Sequence, residues 1–241
     1  MVFEQHLKSH ISKQFNMELE EVRNLVFKMG GLVEKQVQDA LKALVDHDAA
    51  LAKKVIKRDK KVNALEIKID DMCADILARR QPAASDLRLI ITIIKINTDL
   101  ERIGDEALKL AFSTKSIKEK HISEGREEYH AVETLGNLVL GMLKQTLDAL
   151  ARMDTEEAVN IMRQDDVIND EFENLLAILI DKMKSKPKTV KSIISFSWSA
   201  RALERIGDHT KNINEYIIYQ VKGRNVRHLD LDEIEDSLDD D

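Results

Sequence analysis

The six residues LERIGD occur twice in this sequence, at 100–105 and at 203–208, and this repeat constrains the fold more strongly than any other feature. An identical six-residue match arises by chance in a chain of this length with a probability on the order of 10⁻³. The flanking segments also correspond, since DALKAL at 39–44 resembles LDALAR at 147–152. An internal duplication explains both similarities. It predicts two domains of one architecture, each with about 100 residues, which is a common domain size.

Apolar residues recur at alternating steps of three and four in both halves, which is the period of an amphipathic helix. The six runs are 11–44, 51–76, 90–111, 132–150, 161–183 and 193–217. Pro82 and Pro187 end the middle helix of each half, because proline cannot donate a helical backbone hydrogen bond. DTEE at Asp154–Glu157 has the pattern of a capping box and opens the fifth helix. We therefore predict an all-α fold of two tandem, homologous three-helix bundles with six long helices.

The charge of the chain is unevenly distributed. We assign the first bundle to residues 1–118, the second to 123–221 and an acidic, disordered tail to 222–241. Residues 230–241 hold eight Asp or Glu and no Lys or Arg, so the net charge of −7 leaves +1 on residues 1–229. Nucleic-acid binding needs a clustered excess of Lys and Arg. We therefore expect no nucleic-acid partner.

Cysteine content and hydropathy indicate the compartment. The single Cys73 cannot form an internal disulfide, which fits a reducing environment. The start of the chain lacks the basic and apolar regions of a signal peptide, and the longest apolar runs are far shorter than the roughly 18 residues of a membrane span. We expect a cytoplasmic protein that associates with a membrane only through partners.

The spacing within the repeat carries its chemistry, because residues four apart lie on one face of a helix. Glu101 and Asp105 form one pair of carboxylates, and Glu204 and Asp208 form the other. Like charges at this distance destabilise a helix, so something must compensate them. Two interpretations remain open. The adjacent arginines form ordinary surface salt bridges, or the carboxylates hold a hard cation such as Mg²⁺, Mn²⁺ or iron.

A cation site needs more than two carboxylates, and a neighbouring helix offers further oxygen ligands. The middle helix of each half repeats a second pair with a spacing of four: Asp59 and Asn63 in the first half, Asp165 and Asn169 in the second. We include these four residues in the predicted metal sites, with divalent or trivalent ions as the cofactors.

The sequence resembles the PhoU family of bacterial phosphate-uptake regulators over nearly its whole length. The resemblance rests on the doubled LERIGD, on RQPAASDLRLIITIIK at 80–95, on MGGLVEKQV at 29–37 and on LARMD at 150–154. It implies paired three-helix bundles, a cytoplasmic location and metal bound at E/D-x-x-x-D motifs. Those motifs fall on the four LERIGD carboxylates. The Asp59/Asn63 and Asp165/Asn169 pairs match less closely, because asparagine stands where the family pattern has a carboxylate.

The resemblance also implies a function without catalysis. A protein of this family couples the ATPase subunit of the phosphate ABC transporter to a membrane sensor histidine kinase, and it holds the phosphate-starvation response off when phosphate is plentiful. We also expect a homodimer. Two alternatives remain open: a metal-dependent enzyme that uses the carboxylate sites, and a helical adaptor without metal.

Overall fold

The apolar periodicity produces long amphipathic helices in the computed structural model, which describes residues 13–116 and 126–239. The helices are α1 (Lys13–Val45), α2 (Ala49–Arg80), α3 (Ala84–Ser116), α4 (Arg126–Arg152), α5 (Thr155–Met162), α6 (Gln164–Ser185), α7 (Val190–Lys222) and α8 (Leu231–Asp239), with a 3₁₀ turn at Pro187–Thr189. No strand occurs in these described ranges. The predicted all-α fold is confirmed. The predicted start at Ile11 and the predicted boundary at 118–123 lie outside the described residues.

Side-chain caps explain where two helices begin. The Asp48 carboxylate accepts hydrogen bonds from the backbone N–H groups of Ala50 and Leu51, both at 2.9 Å, and opens α2. The Asp154 carboxylate accepts from the Glu157 N–H at 3.0 Å and opens α5. Such caps satisfy backbone donors that have no partner within the helix. The predicted helix start at DTEE is therefore confirmed.

Each half buries one apolar face of every helix in a bundle core. In the first half α1, α2 and α3 pack against one another, and in the second half α7 packs against α4, α5 and α6. The apolar residues of both LERIGD copies belong to this core, since Leu100, Ile103, Leu203 and Ile206 have no exposed surface. The repeated motif therefore presents its apolar side inward and its carboxylates on the remaining side of the helix.

The middle helix of the second bundle differs from the single helix that the sequence predicts. It is divided into α5 and α6 at Arg163, whereas the corresponding α2 is continuous. The Arg163 N–H reaches the Val159 carbonyl at a stretched 3.4 Å and also bonds to the Ile161 carbonyl. Its φ of −62° and ψ of −22° are close to 3₁₀ geometry. A tightened turn therefore interrupts the helix without a proline or glycine.

The acidic tail also differs from prediction. The sequence predicts disorder for 222–241, whereas the structure forms α8 within it. The Glu233 N–H donates to Asp230 Oδ1 at 2.8 Å, and the Asp230 N–H donates to Glu233 Oε2 at 3.0 Å, which is a capping box. Ile234 is 1% exposed, and α8 packs against α5. One apolar anchor and a reciprocal cap thus order a segment whose composition suggests disorder.

The two bundles meet along α3 with α7 and along α1 with α4. Asp99 of α3 is buried at the first contact, where it lies 2.7 Å from His209 Nδ1 and accepts a hydrogen bond from Asn212 Nδ2 at 3.2 Å. At the second contact Gly136 of α4 lies against Leu41 of α1, and a Cβ at this glycine would be 2.4 Å from the leucine Cδ1. Glycine therefore allows α1 and α4 to approach closely.

The outer helices take no part in the main contacts between bundles. Helix α2 packs on α1 and α3, and α6 packs on α4 and α7. Within the described part of the chain, no helix is both long and apolar enough to cross a membrane.

Candidate functional site

Four carboxylates lie together between α2 and α3 of the first bundle, and we refer to Asp59, Glu66, Glu101 and Asp105 as the first carboxylate cluster. Asp59 is buried, Glu66 and Glu101 are partly buried and Asp105 is exposed. Burial raises the pKa of Glu101, and the charges of Asp105 and Glu66 raise it further. Arg102 lowers this pKa, and Asp59 raises it by a smaller amount. The predicted pair on α3 thus faces two acids of α2.

Asp59 is held by a buried glutamine of α1. The Gln36 Nε2 amide donates to Asp59 Oδ1 at 3.1 Å and to the Gly104 carbonyl at 3.2 Å. Burial raises the pKa of Asp59, the hydrogen bonds from Gln36 and Asn63 lower it, and the charge of Asp105 raises it. Gln36 therefore links all three helices of the bundle at the cluster.

Negative charge in the first cluster is not balanced by ion pairs. None of its four carboxylates forms one with a described residue. Burial raises the pKa of Glu66, and Asp70 and Asp105 raise it further. Asp105 thus acts on three neighbouring carboxylates at once. Carboxylate oxygens without an ion-pair partner among the described residues are the type of ligand that hard cations accept.

The second carboxylate cluster consists of Asp165 of α6 with Glu204 and Asp208 of α7. Burial raises the pKa of Glu204, followed by the charge of Asp208, while Arg201 lowers it. Desolvation also raises the pKa of Asp208, and Asp165 adds to this. The structure therefore brings these three predicted residues together, as it does for their counterparts in the first bundle.

Cations of the chain itself balance the second cluster. Lys211 Nζ lies 2.7 Å from Asp165 Oδ2, and Arg201 lies 2.8 Å from Glu204 Oε1. The corresponding positions of the first half hold Leu108 and Thr98, which carry no charge. The repeats have thus diverged into an anionic first cluster and a largely neutralised second cluster. Glu204 Oε2 is nevertheless buried and has no hydrogen-bond partner among the described residues.

The two asparagines of the predicted sites have different positions. Asn63 is exposed on α2 and lowers the pKa of Asp59, so it borders the first cluster. Asn169 is exposed on α6, one turn after Asp165. Sequence reasoning missed Glu66 and Gln36. Glu66 follows Asp59 by seven positions and so shares its helix face, whereas Gln36 shows only as a polar residue within an apolar stripe.

The ligand types in the two clusters fit a hard cation, whereas the placement of the side chains does not. The ligands are carboxylate and amide oxygens, which Mg²⁺, Mn²⁺ and iron accept. In residues 13–116 and 126–239, however, no group of three or more His, Cys, Asp or Glu side chains is arranged to hold a metal ion. Metal binding here requires side chains to rotate toward one another, and the predicted metal sites stay predictions.

Comparisons with known proteins agree on one family. The PhoU domain matches residues 26–114 and again 132–217. The chain is 44% identical over 239 residues to the phosphate-specific transport system accessory protein PhoU homolog of Pseudomonas aeruginosa, covering 99% of this chain and 98% of that protein. It is 44% identical over 233 residues to the accessory protein PhoU of Escherichia coli K12, covering 97% and 95%.

Solved structures show the same fold. The crystal structure of PhoU from Pseudomonas aeruginosa superposes with a TM-score of 0.82 at 45% identity, covering 87% of this chain and 100% of that one. The phosphate transport system regulatory protein PhoU of Streptococcus pneumoniae gives 0.81 at 30% identity, covering 88% and 99%. The names of these relatives describe accessory and regulatory proteins rather than enzymes.

Proposed function

The chain belongs to the PhoU family, and on this premise we propose that it regulates phosphate uptake and the phosphate-starvation response in the cytoplasm. It acts as a metal-binding adaptor between the ATPase subunit of the phosphate ABC transporter and a membrane sensor histidine kinase. It holds the starvation response off when phosphate is plentiful. A homodimer is part of this proposal, and sedimentation velocity tests it.

The observation that carries the metal-binding part is the first carboxylate cluster. Four acids act on one another electrostatically there, none of them forms an ion pair with a described residue, and the structure tolerates the repulsion on a partly exposed surface. A bound Mg²⁺, Mn²⁺ or iron ion would offset this charge, drawing Glu101, Asp105 and Asp59 toward one another. The neutralised surface would then accept a partner that the bare carboxylates repel. The cation thereby becomes a condition for docking.

Two double variants test this mechanism. We expect E101Q/D105N to weaken Mn²⁺ binding, and calorimetry measures this effect. Loss of an outer-shell partner weakens metal binding roughly tenfold, and the loss of two direct ligands should cost more than that. The matched variant E204Q/D208N removes the same charge from the cluster that Lys211 and Arg201 already balance. We expect a smaller loss there.

The partner assay uses the purified ATPase subunit and the cytoplasmic part of the kinase. We expect the wild-type chain to retain both in Mn²⁺ and to release them in a chelator. Unchanged retention by E101Q/D105N, with or without metal, would overturn the proposed role of the cation.

A metal-free helical adaptor is the second candidate. It is favoured by the absence, within the described residues, of any three acid, histidine or cysteine side chains placed to hold a metal. Metal analysis of protein purified without chelator separates the two candidates, because a metal-free adaptor contains no stoichiometric ion and binds its partners equally in a chelator.

A further inference from the structure

Helix α2 carries a dense group of exposed lysines, and we name Lys53, Lys54, Lys57, Lys60 and Lys61 the α2 lysine face. All five side chains are exposed. None of them forms an ion pair with a described residue, whereas Lys35, Lys42 and Lys68 on the same bundle do. Five unpaired positive charges are therefore concentrated within nine residues of the chain.

The five lysines point to one side of the helix. At 3.6 residues per turn they fall within an arc of about 120°. The opposite side holds Ala52, Val55, Asp59 and Val62, all buried against the bundle. Because α2 packs only on its own bundle in the main contacts, the lysine face lies on the outer edge of the molecule.

The duplication supplies an internal comparison. The corresponding helices α5 and α6 carry an excess of acids on their accessible surface: Glu156, Glu157, Asp166, Asp170, Glu171 and Glu173. The acidic α8 also packs there. The opposite outer edges of the molecule therefore carry opposite charge. The overall charge of the chain is −7, so the positive edge does not reflect a generally basic chain. It is a specific property of the first of the two homologous bundles.

We propose that the α2 lysine face binds the headgroups of anionic phospholipids and holds the protein on the surface of an anionic membrane. The face runs along the side of α2 for about 12 Å between Lys53 and Lys61, so it can lie along a flat surface. Clusters of four to eight basic residues on a helix bind anionic lipid in this way. This direct contact differs from the sequence-based expectation of membrane association through partners alone, and it needs neither the metal nor the partner proteins proposed above.

The composition of the face favours lipid over other anions. It contains lysine alone, which is a mobile point charge without the planar fork with which arginine binds a particular phosphate or carboxylate. Ile67 lies on the same side and is 61% exposed, so an apolar contact is available next to the charges. The acidic edge of a second copy is the rival occupant, and the vesicle experiment below separates it from lipid.

The net negative charge of the chain does not prevent this contact. At physiological ionic strength the Debye length is about 8 Å, so a bilayer responds to the charges nearest to it. The acidic edge then faces away from the membrane. The two edges together orient the molecule.

Co-sedimentation with vesicles tests the proposal. We expect the wild-type chain to bind vesicles of phosphatidylglycerol and phosphatidylcholine in equal parts at low salt, to dissociate at high salt and to ignore pure phosphatidylcholine. Each lysine near such a surface changes partitioning about fivefold, so the four substitutions of K54Q/K57Q/K60Q/K61Q should together reduce binding about 600-fold.

Two variants serve as controls. K144Q/K184Q/K188Q/K191Q removes the same number of exposed lysines from the second bundle and should bind nearly as wild type. K54R/K57R/K60R/K61R keeps the charge and should also preserve binding. Circular dichroism verifies that each variant is helical. The proposal is overturned by no binding to anionic vesicles, by equal loss in both glutamine variants, or by salt-dependent self-association without vesicle binding.

Discussion

Asp105→Asn removes one negative charge from the first carboxylate cluster without changing the size of the side chain. In the wild-type chain the charge of Asp105 raises the pKa of Glu101, Asp59 and Glu66. The substitution therefore relieves three repulsive interactions at once. We expect D105N to stabilise the metal-free protein at neutral pH, although it removes a candidate metal ligand.

The expected gain in stability of D105N depends on the exposure of the Asp105 side chain. Asp105 is exposed, so solvent screening keeps each interaction at the few tenths of a kcal/mol that like charges cost on a helix surface. Three such interactions give about 1 kcal/mol of added stability. For a protein of this length that corresponds to a rise in melting temperature of about 2–4 °C.

The pH dependence has a definite sign. Glu101, Asp59 and Glu66 are acids whose folded pKa is raised, so the folded state binds protons more readily than the unfolded state. Stability therefore falls as the pH rises from the ordinary carboxyl pKa of about 4 through the raised values. Below this window the acids are neutral, and the advantage of D105N over wild type should disappear.

Urea unfolding in a chelator, at neutral pH and near pH 4, measures both effects. Asp208→Asn is the matched control at the corresponding position, where Lys211 and Arg201 already balance the acids, so its gain should be smaller. The reasoning is refuted if D105N is destabilising at neutral pH, or if the two variants behave alike.

Three further substitutions test other parts of the structure. Gln36→Leu removes the buried donor to Asp59 and should lower the free energy of unfolding, measured with urea, by about 1–3 kcal/mol. An unchanged urea midpoint would show that the hydrogen bond from Gln36 does not stabilise the bundle. Asp99→Ala removes the acceptor that His209 contacts across the bundle interface, and faster amide hydrogen exchange in α3 and α7 should follow. Ile234→Ala removes the apolar anchor of α8. We expect proteolysis of the tail at lower protease concentration, with an unchanged rate elsewhere.

Local patterns predicted most of the architecture correctly. The step of three and four located the apolar faces of α1, α2, α3, α4 and α7, because helix periodicity depends only on neighbouring residues. The interruption at Arg163 has no such signal, since neither proline nor glycine marks it. The tail did carry a local signal for a helix, because DLDE at 230–233 is a capping box. The acidic composition around it nevertheless favoured disorder.

The sequence likewise predicted one part of the candidate site and missed another. A spacing of four is enough to place Glu101 beside Asp105, and the repeat is enough to place Glu204 beside Asp208, because both pairs lie within one turn of a helix. Neither pattern specifies which residues of another helix lie opposite. Gln36, Asp59 and Glu66 are brought to the first cluster by packing of α1 and α2 against α3.

The repeat and the apolar periodicity are sufficient to predict a duplicated helical protein with two pairs of carboxylates on matching helix faces. The electrostatic difference between the two pairs arises from the packing of the helices. Lys211 reaches Asp165 over 46 positions of the chain, while the first cluster has no ion pair with any described residue. Charge balance in a folded protein depends on distances between helices, and those distances are set by core packing rather than by the spacing of residues along the chain.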